Sequence, residues 1–575
     1  MIANSDAKLL TSMLKDADVG DLLRIVRKHG STFCPIHCSA AWSTLGKQRG
    51  ACQNPHHRPD IEQLLRVTKA HIADWTCNAR SFANIVHGAA KSRVSGARGL
   101  FVAGAEAAPA RLHEFNAQDI ANTAWAYATA RQVHPALLDA IAKAAEARLK
   151  RDFRPQHFSN TAWAFATVHH SAPALFEAIA EASLPRLSDF KPQEIANTVW
   201  AYAVSKCSAP ALFDAIAAEV VPRMREFNGQ ALSNTAWAYA TAEHSAPALL
   251  DAIAAEAAPK LGSFAPQALA NTVWAYATMG RAAPALFDAV AKATVPRLKH
   301  DLHDITSQGL SSMVWSYASL GHSAPELFDA VATAVAAKLS IISTISSSTK
   351  TLANMAWAFA VSDTLSDALF GLSTLVKLCE KEQKSFGPSD LYQLHQWELW
   401  VEERNQEWPR LSPKLSACCR ESFLASKSTP SASQRSVVAA LALGWPTRET
   451  VRTRLGYSVD AVVDFEGREV AVEVDGPSHF VGRTPKGATS LQRRQLRAAG
   501  WALLVVPHWE WDDLDGDADA QHAYLGRGLR AAANAEATAG GLSRLAGLST
   551  EGEAQGEGQG EGQDADKADK GRGGR

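Results

Sequence analysis

The stretch Gln193-Glu194-Ile195-Ala196-Asn197-Thr198-Val199-Trp200-Ala201-Tyr202 carries the pattern that decides the fold. Its centre, Asn-Thr-Ala-Trp or a close variant, surrounds seven tryptophans: Trp125, Trp163, Trp200, Trp237, Trp274, Trp315 and Trp357. The steps between them are 38, 37, 37, 37, 41 and 42 residues. Such a period holds two helices and two turns, and it is typical of a solenoid whose units bury their apolar faces by stacking. The sequence therefore predicts a mainly α protein built around an α-solenoid of helix pairs.

Prolines mark the helices within one repeat. Pro192 suits the first turn of helix A, where its missing N–H costs nothing, and Pro210 opens helix B in the same way. Pro222 is expected to kink or end helix B. Each repeat is therefore predicted to be an antiparallel helix pair.

Two amide positions recur with the tryptophans. Asparagine lies three residues before Trp at Asn122, Asn160, Asn197, Asn234, Asn271 and Asn354. Glutamine lies seven residues before Trp at Gln118, Gln156, Gln193, Gln230, Gln267 and Gln308. One interpretation places these amides on a face that holds RNA. We favour the other, a buried ladder that satisfies backbone groups of the next repeat, because residues that discriminate among bases should vary.

Variation occurs at other positions. The residue six before Trp changes from Asp119 to His157 and Glu194, and the two loop residues after helix A also change along the array. These loop residues include Arg131, His169, Lys206 and Arg281, which are candidate RNA contacts. The alternative interpretation is that they are solvated turns.

Composition divides the 575-residue chain into five segments. They are an N-terminal helical region at 1–78, the repeat array at 79–385, a helix and linker at 386–436, an α/β unit at 437–530 with its core at 457–514, and a tail at 531–575. The tail is rich in Gly, Glu, Gln and Ala, so we expect it to be disordered. No apolar run approaches the length of a membrane span, and the acidic N-terminus contains no clear transit peptide.

The α/β unit begins with a predicted hairpin. Strands at 457–463 and 470–475 flank a turn at Glu466-Gly467, and a two-residue loop would place Asp460 opposite Glu473. Alternation then puts Asp475 on the same side as Glu473. Three crowded carboxylates indicate either a metal or phosphate site or a solvated edge of the sheet.

A basic helix and two tryptophans follow the hairpin. Arg493, Arg494 and Arg497 suit phosphate contact. Trp509 and Trp511 could stack on bases, although burial is the commoner role of tryptophan.

Two resemblances follow from these motifs. The repeats resemble octotricopeptide-type helical repeats of organellar RNA-binding proteins. Val-Glu-Val-Asp-Gly-Pro-Ser-His-Phe at 472–480, Leu-Gln-Arg-Arg-Gln-Leu at 491–496 and Pro-His-Trp-Glu-Trp at 507–511 look like a RAP domain, a module also found in the Fas-activated kinase-like mitochondrial proteins. RAP domains resemble the Vsr-like branch of the PD-(D/E)xK nuclease fold. That resemblance implies metal-binding roles for Asp460, Glu473 and Asp475, with His479 near the reacting phosphate.

One departure from the nuclease pattern bears on chemistry. The pattern ends in Lys two residues after the Glu, whereas this chain has Asp475 at that position. The resemblances thus imply an organellar protein, mitochondrial or chloroplastic, that binds single-stranded RNA in transcript processing, stability or translation. It would need no cofactor and no small-molecule substrate, and it would work with ribonucleoprotein partners. The alternatives are an RNA endonuclease that uses Mg²⁺ and a protein-binding scaffold.

Overall fold

The computed structural model describes residues 4–48, 54–300, 305–341, 348–426 and 429–538. It opens with four helices: α1 Asn4–Asp16, α2 Val19–His29, α3 Pro35–Leu45 and α4 Arg58–Ala73. Short 3-10 turns lie at Gly30–Thr32 and Pro55–His57. Among the described residues, no helix combines the length and the apolar character needed to cross a bilayer.

Helix pairs follow in strict alternation. The first helices of the pairs, here called A helices, are α5 Ala79–Ser92, α7 Ala117–Thr129, α9 Pro155–Thr167, α11 Pro192–Ser205, α13 Gly229–Thr241, α15 Pro266–Thr278, α17 Ser307–Leu320 and α19 Thr349–Ser362. The second helices, here called B helices, are α6 Arg98–Ala107, α8 Pro135–Glu146, α10 Pro173–Ser183, α12 Pro210–Val220, α14 Pro247–Ala257, α16 Pro284–His300, α18 Pro325–Ile341 and the short α20 Asp367–Phe370. The helix α21 Thr374–Lys381 completes this region. The predicted solenoid of helix pairs is confirmed.

The prolines act as predicted. Pro192 and Pro210 lie in the first turns of α11 and α12. Helix α12 ends at Val220, and a 3-10 helix at Val221–Glu226 contains Pro222. Equivalent 3-10 segments occur at Pro109–Glu114, Leu184–Asp189 and Ala258–Ser263. Each segment returns the chain to the start of the next A helix.

The A helices form one layer in which each helix packs against the next. The same packing continues on both sides of residues 79–385, because α3 packs on α5, and α19 packs on α22, which spans Pro388–Glu403. One apolar core runs from Leu10 to Cys419. The solenoid is therefore continuous from the N-terminal helices to α22.

Specific hydrogen bonds join neighbouring repeats. The tyrosine two residues after Trp donates to a carbonyl of the preceding B helix, as in Tyr202 to Phe176 at 2.6 Å and Tyr239 to Phe213 at 2.7 Å. A basic residue in the 3-10 segment donates to the preceding repeat, as in Arg223 to the carbonyl of Phe190 at 2.8 Å. Arg186 and Lys260 do the same from their 3-10 segments, and Arg297 near the end of α16 donates to the carbonyl of Phe264. These bonds satisfy backbone carbonyls at the seams between units.

The C-terminal unit is a small sheet between helices. Its elements are α23 Pro413–Ala425, α24 Ala432–Gly444, β1 Thr447–Arg452, β2 Ser458–Phe465, β3 Arg468–Asp475, a 3-10 turn Pro477–His479, β4 Phe480–Val481, β5 Thr484–Pro485, α25 Gly487–Ala498, β6 Ala502–Pro507, α26 His508–Asp512 and α27 Ala518–Thr538. The order β1-β2-β3-β6 is antiparallel except for the parallel pair β3–β6, which α25 connects. The predicted α/β unit is confirmed. The composition predicts disorder from residue 531, but residues 531–538 continue α27, and the rest of the tail lies outside the described residues.

Both faces of this sheet are covered. One face packs against apolar residues of α24 and α27. The other faces α25, whose Leu491 is buried in the core of the array. At Gly487 an added Cβ would lie 1.8 Å from the carbonyl oxygen of Ala318 in α17, so only glycine allows this approach. The small unit is therefore docked on the array.

Candidate nucleic-acid interface

One stripe of each A helix remains accessible to solvent. In α9 it contains the exposed Gln156 and the half-buried Asn160, Trp163 and Thr167, which lie at i, i+4, i+7 and i+11. The flanking residues on the same helix are buried. The amide–indole face, as we call it, consists of the glutamine, asparagine and tryptophan at these positions in α7, α9, α11, α13 and α15: Gln118, Asn122, Trp125, Gln156, Asn160, Trp163, Gln193, Asn197, Trp200, Gln230, Asn234, Trp237, Gln267, Asn271 and Trp274.

The prediction of a buried amide ladder is wrong. All five glutamines are exposed, all five asparagines are half-buried, and none of these amides hydrogen-bonds to another group among the described residues. Hydrogen bonds between repeats are made instead by other side chains, among them tyrosines, arginines and a lysine, which the pattern around Trp did not single out. The amides therefore keep their donors and acceptors free.

The indole N–H groups of the face are also free. Several other tryptophans donate their indole N–H to a side chain, as in Trp42 to Thr68 at 3.0 Å and Trp400 to Asp363 at 2.9 Å. Within the part of the chain that the structure describes, the five tryptophans of the face donate to no side chain or backbone group. None of these five nitrogens is buried without a partner either, so they face solvent.

The five indoles form a continuous row. Ring centroids are 6.4 Å apart from Trp125 to Trp163, 6.5 Å from Trp163 to Trp200 and 6.2 Å from Trp237 to Trp274. At one end His87 of α5 lies 4.7 Å from Trp125. Beyond the other end, Trp315 of α17 is half-buried, and Trp357 of α19 is buried and donates to Gln396 of α22 at 2.8 Å. The regular spacing presents the same chemical groups once per repeat.

The varying position six before Trp has a structural role. The side chains there accept from the backbone N–H three residues earlier: Asp119 from Asn116 at 3.3 Å, His157 from Arg154 at 3.2 Å, and Glu194 from Lys191 at 2.9 Å. These are helix-capping contacts. Its variation therefore follows from the capping of each helix.

The varying loop residues divide into two kinds. The first loop residue is left-handed in every repeat, with φ of 52° at Arg131, 53° at His169 and Lys206, and 60° at Gly280. In four repeats the second pairs with an aspartate of the preceding B helix, as in His170 to Asp139 and His244 to Asp214, both at 2.8 Å. Arg281 is of this second kind, because it pairs with Asp251 at 2.5 Å. Its guanidinium is thus engaged within the array.

The first loop residues form a basic edge beside the amide–indole face. It consists of the exposed side chains Arg93, Arg131, His169 and Lys206 at the ends of α5, α7, α9 and α11. None of the four has an ion-pair partner among the described residues. A cavity of about 550 Å³ between α5, α6 and α7 is lined by Arg93, Arg98 and Arg131. The edge offers unpaired cations along one side of the face.

Sequence reasoning missed Arg93. It lies six residues after His87, as Arg131 lies six after Trp125, so the degenerate repeat before the first Asn-Thr-Ala-Trp contained the signal. Six residues after Trp237 the chain instead has Glu243, which interrupts the basic edge.

The predicted hairpin register is confirmed. Phe465 pairs with Arg468 and Ala461 with Val472, which places Asp460 opposite Glu473. Glu466 and Gly467 have φ of 54° and 76°, as a two-residue turn with two left-handed residues requires. The carboxylate side of the hairpin faces α25 and is largely buried, since Glu473 is 8% and Asp475 1% exposed. The alternative of a solvated edge is therefore wrong.

Each carboxylate is satisfied within the protein. Asp460 accepts from the N–H of Val474 at 2.7 Å, and Glu473 accepts from Gln492 at 2.9 Å. Burial, followed by the charge of Asp460, raises the pKa of Glu473 to about 8. Burial also raises the pKa of Asp460. Glu473 therefore retains its proton at neutral pH.

Asp475 has a cationic partner instead of a lysine two residues after the Glu. Arg493 of α25 forms an ion pair with one of its oxygens, and the Nδ1 of His479 lies 3.3 Å from the other. A guanidinium among the carboxylates competes with a divalent cation, which requires several open oxygen ligands. In the described ranges no three His, Cys, Asp or Glu side chains are placed to hold a metal. The arrangement thus does not fit Mg²⁺.

The three arginines of α25 have different surroundings. Arg493 is 13% exposed and engaged with Asp475. Arg494 binds Glu403 of α22 at 3.1 Å and the carbonyls of Ala360 and Val361 in α19, so it joins the sheet unit to the array. Arg497 is exposed, and it remains accessible to a phosphate.

The two tryptophans of the Pro-His-Trp-Glu-Trp motif, Trp509 and Trp511, also differ in their surroundings. Trp511 is 4% exposed and donates to Ser436 of α24 at 3.2 Å, so it belongs to the core, as the alternative interpretation held. Trp509 is half-buried, lies 4.5 Å from the ring of Phe480, and has the Arg483 guanidinium 5.6 Å above its ring. Only Trp509 offers ring surface to a ligand.

The docked unit reaches the same edge of the array as the basic residues. A Cβ at Gly280 would lie 3.4 Å from the Nζ of Lys486, and a Cβ at Gly321 would lie 3.2 Å from the carbonyl oxygen of Pro485. The ammonium group of Lys486 thus lies beside Gly280, the first loop residue after α15, where the array has no side chain of its own. It continues the basic edge beyond Lys206 and the acidic interruption at Glu243.

Comparison with known families agrees with this division of the chain. Residues 472–527, from β3 into α27, match the model of the RAP domain. Residues 78–259 match the model of the RNA-editing substrate-binding complex 6 protein. That match covers α5 to α14 and most of the amide–indole face.

Individual relatives cover less of the chain. A RAP domain-containing protein, chloroplastic, from Oryza sativa subsp. japonica is 47% identical over 74 residues, which are 12% of this chain and 11% of that protein. A homology model of the full-length AP-3 complex in an intermediate open conformation is 11% identical and covers 74% of this chain and 84% of that one, with a TM-score of 0.21. A TM-score this low supports no argument about the fold. The chain carries a RAP domain in its C-terminal unit, docked on a helical-repeat array that is similar to the RNA-editing substrate-binding complex 6 protein.

Proposed function

We propose that this protein binds single-stranded RNA in an organelle, along the amide–indole face and the adjoining basic edge. The observation that carries the proposal is the row of free amides and free indole N–H groups, presented once per repeat on five consecutive A helices. Free hydrogen-bonding groups beside aromatic rings suit unpaired bases, which are recognised by stacking and by bonds to their edges. Arg131, His169 and Lys206 would contact the phosphates.

The RAP domain would extend this surface. Lys486 lies where the docked unit meets the array, Arg483 lies over the half-buried ring of Trp509, and Arg497 is exposed. The names of the matching families, an RNA-editing substrate-binding complex protein and a chloroplastic RAP domain-containing protein, support an RNA-associated role in an organelle. Within that role we propose transcript processing, stability or translation, together with ribonucleoprotein partners.

The test uses the full chain and a variant of the face. Labelled single-stranded organellar RNA is titrated with wild-type protein and with Asn160→Ala/Asn197→Ala/Asn234→Ala, at two salt concentrations. The triple variant is expected to lose at least tenfold in affinity with an unchanged melting temperature, because these amides make no internal contacts.

A second variant controls for general electrostatics. Lys143→Ala/Lys292→Ala removes two exposed charges from the B helices α8 and α16, on the other layer of the array. This variant is expected to bind RNA nearly as the wild type does. If it loses more affinity than the triple asparagine variant, the B layer carries the RNA and the proposed site is refuted.

The endonuclease alternative is tested in the same titration. Mg²⁺ is added to wild-type protein and to Asp460→Ala/Glu473→Ala, and RNA length is followed on a denaturing gel. Because Arg493 and Gln492 already occupy the carboxylates, we expect binding without cleavage. Cleavage that depends on Mg²⁺ and is lost in the variant would establish the enzyme. If the protein binds no RNA at all, the remaining alternative is a protein-binding scaffold.

A further inference from the structure

The five repeats of the amide–indole face are chemically uniform. Each of α7, α9, α11, α13 and α15 presents the same glutamine, asparagine and tryptophan at the same helical positions, and three of the four spacings are 37 residues. Repeat proteins that read RNA by a code use one repeat per base and vary the reading side chains from repeat to repeat. Here the three positions of the face do not vary; the variation lies in helix caps, in ion pairs and in the exposed first loop residues, which suit phosphates.

Uniform readers require a uniform ligand. If each repeat contacts one nucleotide through the same two amides and one indole, the strand that satisfies all five repeats has the same base at five successive positions. A mixed sequence would leave some amides opposite an edge that they match less well, at a cost of about 1–3 kcal/mol per mismatched base.

The chemistry of the face selects among the bases. A carboxamide has one acceptor and one donor side by side, which match the N7 acceptor and N6 amino donor of adenine. Guanine presents two acceptors at the corresponding edge, and these suit arginine or lysine instead. The two-ring base of adenine also offers more surface for stacking on the indoles than a pyrimidine does. On this edge, adenine alone among the purines presents the acceptor–donor pair that a carboxamide matches.

We propose that the amide–indole face takes a run of adenosines in single-stranded RNA, with one nucleotide per repeat over α7 to α15. This inference rests on the proposed RNA-binding function. The complete set ends beyond α15, because α17 keeps an exposed Gln308 and a half-buried Trp315 but has Ser312 in place of the asparagine. It ends before α7, because His87 replaces the tryptophan in α5. The structure therefore sets the length of the run at five nucleotides.

The experiment measures the binding of labelled 12-mers to the full chain by fluorescence anisotropy. The probes are oligo(A), oligo(U), oligo(C) and a mixed sequence without adjacent adenosines. Oligo(A) is expected to bind at least tenfold more tightly than the others. Within a mixed 12-mer, a central run that grows from two to five adenosines is expected to strengthen binding stepwise, with little gain from a sixth.

The central repeat gives a test that does not depend on strand direction. Helix α11 is third of five from either end, so its Asn197 faces the third nucleotide whichever way the strand runs. Asn197→Arg should bind a probe with AAGAA at its centre more tightly than one with AAAAA, since arginine suits the acceptors of guanine. The wild type should show the opposite order. Asn197→Lys provides the same charge without the fork of arginine and controls for added affinity to any RNA.

Each outcome has one meaning. Equal binding of all four wild-type probes within twofold, or a preference for the mixed sequence, overturns the adenosine run and leaves RNA binding intact. Absence of salt-sensitive binding to every probe overturns both this inference and the proposed function. A variant with Asn197→Arg that strengthens AAAAA and AAGAA equally would show that the amide does not read the base, which also overturns the inference.

Discussion

The hydroxyl of Tyr239 donates a hydrogen bond of 2.7 Å to the backbone carbonyl of Phe213 in the preceding repeat. Asn234, five residues earlier on the same helix, has no such partner within the described residues. One helix thus uses a buried tyrosine to hold its neighbour and leaves an accessible amide free. This separation between residues that hold the stack and residues that face solvent leads to different expectations for the two kinds of substitution.

Loss of the Tyr239 hydroxyl should destabilise the array without changing its surface. Tyr239→Phe removes this buried hydrogen bond between repeats, which should cost about 1 kcal/mol in the free energy of unfolding. Urea denaturation followed by circular dichroism measures the change. Asn234→Ala on the same helix is the matched control, and an equal loss in that variant would contradict the division between buried and accessible positions.

The basic edge should contribute electrostatically and without base preference. Arg131→Asn and Lys206→Asn remove the charges. Asparagine tolerates the left-handed backbone at these two loop positions, where φ is 52° and 53°. Each substitution should weaken RNA binding similarly for all sequences and reduce the slope of log affinity against log salt by about 1. Affinities measured at four salt concentrations give the slope.

Glu243→Asn is the control for this edge, because it occupies the same left-handed position one repeat further along, with the opposite charge. It should leave RNA affinity unchanged or raise it. A weaker complex for Glu243→Asn would indicate that these loops act through backbone geometry and not through charge.

Arg494 should matter for docking of the RAP domain. Its removal leaves Glu403, whose side chain is 7% exposed, with only the more distant Arg404 at 3.4 Å, and frees two carbonyls of α19. We expect Arg494→Ala to cost about 2 kcal/mol, since a buried charge loses its partner. Hydrogen exchange across residues 487–498 should accelerate. Arg497→Ala, on the exposed side of the same helix, should leave that exchange unchanged, and equal acceleration in both would argue against the contact.

The ionisation of Glu473 should make the folded protein less stable as pH rises. The folded protein raises the pKa of this carboxyl from its ordinary 4.5 to about 8, mainly by burial. The folded state therefore keeps a proton that the unfolded chain releases, so this stabilisation is complete below pH 4.5 and is lost as pH rises through 8. The melting temperature of Glu473→Gln minus that of the wild type should therefore increase by at least about 2 °C from pH 5 to pH 9.

The neighbouring Glu469→Gln controls for the loss of a carboxylate from the same strand. Its side chain is 59% exposed and pairs with an equally accessible arginine, so its melting temperature should follow that of the wild type at every pH. A melting difference for Glu473→Gln that stays constant with pH would contradict the raised pKa.

Much of the architecture could be predicted because it depends on local rules. The interval between tryptophans indicated helix pairs, the prolines at 192, 210 and 222 marked their ends, and the Glu466-Gly467 turn gave the hairpin register. These features follow from backbone geometry within a few residues. The Val-Glu-Val-Asp-Gly-Pro-Ser-His-Phe block indicated the RAP domain because its residues are adjacent in the chain.

The burial of particular side chains could not be predicted in the same way. Asn197 and Tyr202 lie on one helix five residues apart, and only the packing of the next repeat decides that Tyr202 is buried and bonded while Asn197 is accessible. Likewise, the docking of α25 against α19 and α22 turns Arg494 from a candidate phosphate ligand into a contact between units. The sequence by itself determined the repeat, the hairpin and the RAP domain, because local periodicity and turn chemistry specify them. Only the tertiary structure decided which repeated side chains remain free to bind a ligand, because that depends on which surfaces neighbouring units cover.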